Sequence, residues 1–323
     1  MECDGTILSM SYEIELYQHD PLALANRWMT LPSDELRRRA FKAAYSLDHD
    51  ELCSLTFAHI TAFGAAGATV SDATLRSYRI SIRQFLNYCA DHATAPLRAT
   101  PDTGRLWLRR MESMGRSAAT VRVRVAGARA MYRALRWATD TTADPFLDVK
   151  PAKDITPPWE KRLPYQHHEI ERLLEVATGS LKLLILLCSH GGLRIGEALS
   201  LQIGDIHPQD RVLIIRNGKG GKMRRVVLSQ TLLLNLHLQG EPNTPLVGLK
   251  YQCAIKHLRA ACAFAKVTYR GWHSMRHYSG TRLMRETGDL DCVARHLGHA
   301  DLATARIYAK WSEDSLHSTV GQW

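Results

Sequence analysis

The chain has 323 residues and a formal net charge of +10, with 42 Lys and Arg residues against 32 Asp and Glu residues. This length predicts two domains, and the excess of positive charge favours a polyanionic partner. The longest strongly apolar run, residues 181–188, is too short to cross a bilayer, and the acidic residues 1–10 do not resemble a secretory signal. The seven scattered cysteines show no C-x-x-C spacing, which argues for a reducing cytoplasm and against a disulfide framework or a zinc site.

The charge is unevenly distributed along the chain. Residues 1–50 carry 5 Lys and Arg against 9 Asp and Glu, whereas residues 51–150 carry 14 against 8, and 13 of those 14 are arginine. Arginine binds phosphate with two parallel hydrogen bonds, so nucleic acid suits this region better than a membrane surface does. A solvated basic face is the alternative. We interpret residues 1–50, which have a helical pattern at 36–45 but no motif, as an acidic helical extension packed on the next domain.

Two arginine-rich helices are predicted within residues 51–150, one starting at Ser71 and one near Ser117. In each, apolar residues recur at three- and four-residue spacing, and arginines recur at the same spacing on another face. The two rows are Arg76, Arg79 and Arg83, and Arg122, Arg129, Arg133 and Arg136. One such row is usually a solvated face, but a pair of rows favours contact with a phosphate backbone. We predict a helical DNA-binding domain over residues 51–150.

The segment from Asp144 to Pro158 contains four prolines and little periodicity, which predicts an extended linker with a domain boundary near residue 155. We assign residues 151–160 to the linker and 161–323 to a second domain. In that domain the pattern predicts helices at 168–177, 181–190 and 195–201, then strands at 211–216 and 223–228, then helices after about residue 243. The predicted class is mainly α with a small antiparallel β-sheet.

The two strands flank a glycine-rich turn, residues 217–222, that carries Lys219 and Lys222. A phosphate-binding P-loop would need Ser or Thr after the lysine at the start of a helix, and here Met223 and a strand follow. A hairpin tip with a mobile lysine describes the turn better. Taken alone, it is more often a solvated turn.

His273 and His277 lie four residues apart on a predicted helix, with Arg276 between them. A zinc pair of the zincin type would need Glu after the first histidine, but Ser274 stands there and no acidic third ligand is near, which disfavours a metal site. Helical histidines are usually structural. Arg276 lies on the same side of the helix as His273, and this arrangement distinguishes the two histidines from ordinary structural ones.

Metal-free cleavage of a DNA phosphodiester needs positive charge on the nonbridging oxygens, a nucleophile that can be activated, and an acid for the departing 5′ oxygen. Arginines and a histidine can supply the charge. A tyrosine forms a phosphoester that can be attacked again when the strand is rejoined. The chain contains all of these groups: Arg194, Lys219, His273, Arg276, His299 and Tyr308.

The order of these motifs resembles the tyrosine recombinase, or phage integrase, family, in the style of its Xer and integrase branch. The motifs are Gly-Leu-Arg-Ile-Gly-Glu at 192–197, the hairpin Gly-Lys-Gly, His-Ser-Met-Arg-His at 273–277, Leu-Gly-His-Ala at 297–300, and Tyr308. Each motif alone is weak evidence for the family, but five motifs in this order are specific to it. The resemblance covers residues 51–323. It implies a helical core-binding (SAM-like) domain before the catalytic domain.

The resemblance implies a role for each matched residue. Arg194 and Arg276 would grip the scissile phosphate, and Lys219 would protonate the leaving 5′ hydroxyl. His273 would accept a proton or donate to the phosphate, and His299 would hydrogen-bond the phosphate. Family members need no metal, ATP or other cofactor.

Tyr308 would be the nucleophile that forms a 3′-phosphotyrosyl link. Tyr269 and Tyr278 are decoys close to the His-Arg motif, but Tyr308 follows His299 by the nine residues that the family shows. Glu197 would orient Arg194, and His277 would support the residues that touch the phosphate.

The expected partners are double-stranded DNA and further copies of the chain, four of them on two DNA sites, with a second recombinase or accessory protein left open and no membrane. The residues after Tyr308 could form a helical face from Trp311, Ser315, Leu316 and Val320. This tail could fold on its own domain, or it could dock on a neighbouring subunit as the resemblance implies.

The predicted activity is site-specific recombination, serving chromosome dimer resolution or the integration and excision of a mobile element. A type IB-like topoisomerase uses the same set of residues and is the nearest alternative. A non-catalytic DNA-binding accessory factor is the alternative outside enzymes.

Overall fold

The computed structural model of the chain describes residues 20–216, 223–298 and 307–309. It divides into two compact units, the first ending at Ile155 and the second beginning at Thr156. Within the described ranges, none of the helices combines the length and the apolar character that crossing a membrane requires.

Unit 1 is built from helices. Ser71 and Ser117 cap two of them by accepting hydrogen bonds from the backbone N–H groups of Thr74 and Thr120, which confirms both predicted helix starts. The helices are α1 (Pro21–Met29), α2 (Ser33–Tyr45), α3 (His49–Phe63), α4 (Asp72–Asp91), α5 (Pro101–Ser113) and α6 (Ala118–Ala138).

Aromatic side chains fill the core of unit 1. Phe85 on α4 meets Trp107, Phe146 and Tyr132 edge-on, with ring centroids 5.0, 5.2 and 5.8 Å away. The close crossing of α4 and α6 depends on Gly127, because a Cβ there would lie 2.6 Å from that of Ser81.

The residues from Asp20 to Asp50 share this core. Trp28, Ala40 and Ala44 are buried in the same cluster as Phe85. Helix α2 confirms the helical pattern at 36–45. Residues 1–19, the rest of the predicted extension, lie outside the described residues.

The start of the predicted linker is part of unit 1. Phe146 and Val149 are buried in the core, and Arg129 on α6 donates to the carbonyls of both residues at 3.1 and 2.6 Å. The four prolines indicated an extended linker, but one aromatic anchor keeps its first residues packed. The prediction of a linker from Asp144 onward was wrong for these residues.

Unit 2 combines helices with a small sheet, as predicted from the sequence. Its elements are α7 (Pro158–Lys161), α8 (His167–Val176), α9 (Gly179–Ser189), α10 (Ile195–Leu199), β1 (Ile206–His207), β2 (Val212–Ile215), β3 (Arg224–Val227), α11 (Gln230–Leu234), α12 (Tyr251–Phe264), α13 (Trp272–Thr287) and α14 (Leu290–Leu297). Helix α9 is buried from Leu183 to Ser189 and packs against α13.

A helical turn, α7, begins within the predicted linker and overlaps its last three residues. A proline is tolerated at the first position of a helix because its missing N–H would have no partner there. Pro158 occupies that position, so the expectation of extended chain was wrong at this turn.

The sheet is antiparallel in the order β1-β2-β3 and confirms the predicted hairpin. Leu213 pairs with Val226, and Ile215 pairs with Arg224. Paired residues project to the same face of a sheet, and alternate residues share a face. Because Leu213, Ile215 and Val226 are buried, Arg224 projects into the interior of unit 2.

Candidate active site

Helix α13 supplies the central residues of the site. His273, Arg276, His277 and Gly280 follow the three- and four-residue spacing that places side chains on one face. The residue just before the helix is Gly271, whose φ of +80° favours glycine. The preceding Arg270 holds this start in place, because its guanidinium donates to both carboxylate oxygens of Glu169 at 2.8 and 2.7 Å.

The turn after α9 positions Arg194. Gly192 has a φ of +63°, and a Cβ there would lie 2.5 Å from a side-chain carbon of Leu297, so only glycine fits. Arg194 then caps α10. Its backbone N–H and its Nη1 donate to the two carboxylate oxygens of Glu197 at 2.8 and 2.7 Å.

Glu197 lies among three arginines. Arg194 and Arg224 donate to it, and Arg276 has Nη1 3.9 Å from its Oε2. Burial opposes ionisation of this carboxyl, but the hydrogen bonds from Arg224 and Arg194 outweigh burial and lower its pKa to about 2. Glu197 is therefore a carboxylate at neutral pH, and its negative charge holds the cluster together.

Arg276 is the most buried of these arginines, with 1% of its surface exposed. Its Nη1 and Nη2 donate to the carbonyls of Gly192 and Leu297, both at 2.6 Å. Burial, together with the positive charge of Arg194, lowers the pKa of Arg276 to about 10, so it stays charged at neutral pH. The contacts fix the plane of the guanidinium between two turns of the chain.

The two histidines of α13 lie against each other, with ring centroids 4.5 Å apart and planes at 84°. His273 keeps an open face towards solvent, as its exposure shows. Desolvation of the ring, followed by the charges of Arg162, Arg276 and Arg194, lowers its pKa to about 4. At neutral pH His273 is therefore uncharged and able to accept a proton.

Tyr308 packs beside His277, with ring centroids 5.9 Å apart. Only glycine at position 280 leaves room for its ring, because a Cβ there would lie 2.5 Å from Cε1 of Tyr308. Burial raises the pKa of the Tyr308 phenol to about 12, although Arg276 and Arg194 are close enough to lower it. With 1% of its surface exposed, Tyr308 is a protonated and shielded phenol in this conformation.

The structure thus gathers Arg194, Glu197, Arg276 and the Tyr308 ring, with His273 and His277, in one region of unit 2. The predictions for Lys219, Lys222 and His299 fall on residues outside the described ranges, as does the tail after Ala309.

A zinc site at His273 and His277 would need further ligands. Among residues 20–216, 223–298 and 307–309, no group of three or more His, Cys, Asp or Glu side chains has an arrangement that could hold a metal ion.

The predicted DNA-binding arginines of unit 1 differ from one another in the structure. Five are exposed on α4 and α6: Arg76, Arg79, Arg83, Arg122 and Arg133. Arg129 and Arg136 are half-buried and donate to backbone carbonyls of residues 143–149. These two arginines stabilise the fold of unit 1, whether or not they also reach DNA.

Sequence reasoning missed Arg224, whose Nη1 and Nη2 donate to the two oxygens of Glu197 at 2.9 and 2.7 Å. A signal was present. In the strand Arg224-Arg225-Val226-Val227, alternation places one of the two arginines on the buried face. A buried arginine requires a partner, and Glu197 was the acidic residue already singled out.

Two protein families match the chain, one within each unit. Residues 165–314 match the phage integrase family, and residues 67–139 match the family described as phage integrase, N-terminal SAM-like domain. The chain is 27% identical over 275 residues to tyrosine recombinase XerD of Oceanobacillus iheyensis, covering 74% of this chain and 88% of the relative. It is 29% identical over 278 residues to tyrosine recombinase XerD of Rhizobium meliloti, covering 76% and 88%.

A solved structure of XerH site-specific recombinase, bound to palindromic difH substrate in a post-cleavage complex, has the same fold. The TM-score is 0.63 at 19% identity, over 94% of this chain and 97% of that chain. The order of motifs, the arginine cluster around Glu197 and these matches lead to one conclusion: the chain belongs to the tyrosine recombinase, or phage integrase, family.

Proposed function

We propose that this chain is a site-specific DNA recombinase that breaks and rejoins strands through a covalent bond between Tyr308 and a 3′ phosphate. The family membership supports the activity. The observation that carries the residue assignment is that Tyr308 lies close to Arg194 and Arg276, the two arginines that meet the buried carboxylate of Glu197.

In the first step the Tyr308 hydroxyl oxygen attacks the phosphorus, and the bond from phosphorus to the 5′ oxygen breaks. Arg194 and Arg276 stabilise the charge that grows on the nonbridging oxygens. In the reverse step a 5′ hydroxyl attacks the phosphotyrosine, and the phenol leaves. Because each step exchanges one phosphoester for another, no bond energy is lost.

Proton transfer follows from the pKa values of the site. The phenol of Tyr308, with its pKa raised to about 12, needs a base as it attacks. His273 is uncharged at pH 7, so a ring nitrogen is free to accept that proton, although a pKa of about 4 makes it a weak base in this conformation. We expect the negative charge of a bound phosphate to raise the pKa of His273 towards the range that a general base needs. The 5′ oxygen leaves as a hydroxyl and needs an acid, which we assign to Lys219.

The described conformation shields two of the proposed groups. Arg276 and Tyr308 are each 1% exposed, so a DNA phosphate can reach them only after the surrounding chain moves. We infer that DNA binding or assembly of further subunits opens the site, as a tetramer on two DNA sites with exchange of the tail after Tyr308 would allow. A partner recombinase, the cytoplasmic location and the biological task stay predictions.

The test uses DNA duplexes nicked close to candidate sites, so that a cleaved fragment diffuses away and the covalent adduct accumulates. The wild-type protein should form an adduct that resists SDS and does not need a metal ion. Tyr308→Phe should abolish the adduct and leave DNA binding intact, because it removes one hydroxyl. Tyr278→Phe is the matched control and should still form it.

An adduct that persists in Tyr308→Phe would contradict the assignment of the nucleophile. Tight binding without an adduct on any substrate would favour the accessory-factor alternative. A type IB-like topoisomerase would relax supercoiled plasmids without a defined sequence, and recombination between two copies of one site would exclude it.

A further inference from the structure

Arg224 occupies an unusual position for an arginine. Ion pairing of exposed arginines is weak because water competes for the charge, but only 11% of the Arg224 side chain is exposed. Its two terminal nitrogens make parallel hydrogen bonds to the two oxygens of Glu197, at 2.9 and 2.7 Å. This geometry fixes the plane of the carboxylate as well as its place.

The plane of Glu197 determines where Arg194 lies. One Glu197 oxygen accepts from Nη1 of Arg194 at 2.7 Å, and the other accepts from its backbone N–H at 2.8 Å. A carboxylate that rotated would lose one of these bonds. Arg224 therefore restrains Arg194 although the two arginines repel each other.

Arg224 also lies directly under the turn that ends α14. Gly298 has a φ of +66°, and a Cβ at this position would lie 2.4 Å from Cδ of Arg224 and 3.0 Å from its Nε. The carbonyl of the preceding residue, Leu297, accepts from Arg276. The Arg224 side chain thus supports the turn that holds Arg276.

We propose that Arg224 is a positioning residue for the cleavage reaction, acting on Arg194 through Glu197 and on Arg276 through the turn at Leu297 and Gly298. This inference rests on the proposed function. Arg224 does not itself touch DNA in this account. It holds the guanidiniums of Arg194 and Arg276 in the positions that binding of the scissile phosphate requires. Other residues bind the DNA.

The pH dependence of cleavage supplies a readout that a purely structural role would not change. The pKa of Glu197 is lowered to about 2 in part by the hydrogen bonds from Arg224. Without the hydrogen bonds from Arg224, less opposes the effect of burial, so the pKa of the Glu197 carboxyl rises. Cleavage by a variant without the Arg224 guanidinium should therefore fall off at a higher pH than cleavage by the wild type, when both are measured from about pH 8 to about pH 5.

The first test compares Arg224→Met and Arg224→Lys by the single-turnover rate of adduct formation on nicked DNA and by the affinity for uncleaved DNA. A misplacement of about 1 Å can slow an enzyme by about a hundredfold, so we expect that loss for Arg224→Met, with unchanged affinity. Lysine restores the positive charge but cannot make the two parallel hydrogen bonds of a guanidinium. Arg224→Lys should therefore cleave about tenfold faster than Arg224→Met and still more slowly than the wild type.

The second test uses two glycines with the same backbone conformation. Gly298 and Gly288 both have a φ of +66° at a helix C-terminus, but a Cβ at Gly288 would meet nothing within 4 Å. Gly298→Ala and Gly288→Ala should therefore suffer similar backbone strain, measured by thermal unfolding. Only Gly298→Ala should slow adduct formation, by about tenfold or more, because only it displaces Arg224.

The outcomes separate the two proposals. Cleavage by Arg224→Met at the wild-type rate, or equal slowing by the two glycine variants, would overturn the role of Arg224 while the proposed function stands. Slowing of Arg224→Met that matched its loss of DNA affinity would also overturn it. A wild-type protein that forms no adduct on any substrate would overturn the proposed function, and this inference with it.

Discussion

Arginine serves two different purposes in the two units. On α4 and α6 of unit 1 the arginines are mostly exposed, and those that bind the protein do so through exposed acids or backbone carbonyls, as Arg79 does with Asp50 and Arg129 with Val149. In unit 2, Arg276 is buried and Arg224 is largely shielded from solvent, and both lie around one carboxylate. Exposed arginines suit adaptable, salt-dependent contact with phosphates. Buried and hydrogen-bonded arginines suit a fixed geometry, which catalysis needs.

The largest effect should come from Arg276. Removing one preorganised donor to a developing negative charge typically slows an enzyme by about a hundredfold to a thousandfold, and Arg276→Ala would also leave the carbonyls of Gly192 and Leu297 without a donor. We expect adduct formation to fall by at least that factor in single-turnover assays. Arg133→Ala, on the exposed face of α6, is the control and should cleave at close to the wild-type rate once DNA is saturating. Equal loss in both variants would remove the distinction between the units.

Acid should destabilise unit 2 through its histidines. Burial, followed by the charge of Arg282, lowers the pKa of His190 to about 4, and burial, followed by the charges of Arg224 and Arg276, lowers that of His296 to about 4. An unfolded histidine binds a proton near its ordinary pKa of 6.5, so the unfolded state binds more protons between about pH 6.5 and 4. Stability should be full above that range and fall as the pH drops through it.

Calorimetry of the whole chain between about pH 7 and pH 5 would measure this loss. His296→Gln, which does not titrate, should unfold at a less pH-dependent temperature than the wild type. An unfolding temperature that is constant over the range, or the same dependence in His296→Gln, would contradict the assignment.

The smallest effects should appear within unit 1, where two arginines of one row have different surroundings. Arg122 is exposed, so Arg122→Ala should weaken binding to all DNA sequences alike and reduce the slope of log affinity against log salt by about one, if Arg122 meets a phosphate. Arg129 holds the carbonyls of Phe146 and Val149, so Arg129→Ala should lower the unfolding temperature instead. The two variants are matched in chemistry, and identical salt slopes and unfolding temperatures would show that their surroundings do not matter.

Much of the fold could be predicted from local signals. Ser71 and Ser117 marked two helix starts because a serine side chain satisfies the first backbone N–H groups of a helix, and two strand-like runs on either side of a glycine-rich turn marked the hairpin. Long-range packing was out of reach. The local sequence does not distinguish Arg129 from Arg122, which belong to the same row. It also does not show that Phe146, which lies in a proline-rich segment, fills the core of unit 1.

The candidate site also has a part that the sequence could predict and a part that it could not. The order of Arg194, His273, Arg276 and Tyr308 along the chain was enough to suggest the chemistry, because a family's motifs keep their order. The partners of these residues depend on three-dimensional packing. Arg224 meets Glu197 across 27 positions of sequence, and Gly280 is needed only because the Tyr308 ring lies against it.

The central claim, that Tyr308 is the residue that attacks DNA, is tested most directly by mapping the covalent link in the wild-type protein. Trypsin, which cuts after Lys and Arg, would place Tyr308 in the peptide 307–310, Tyr278 in 277–282 and Tyr269 in 267–270. Mass spectrometry of the DNA-linked peptide should identify residues 307–310. A link found in either of the other two peptides would contradict the account, because the arginine cluster would then serve a different nucleophile.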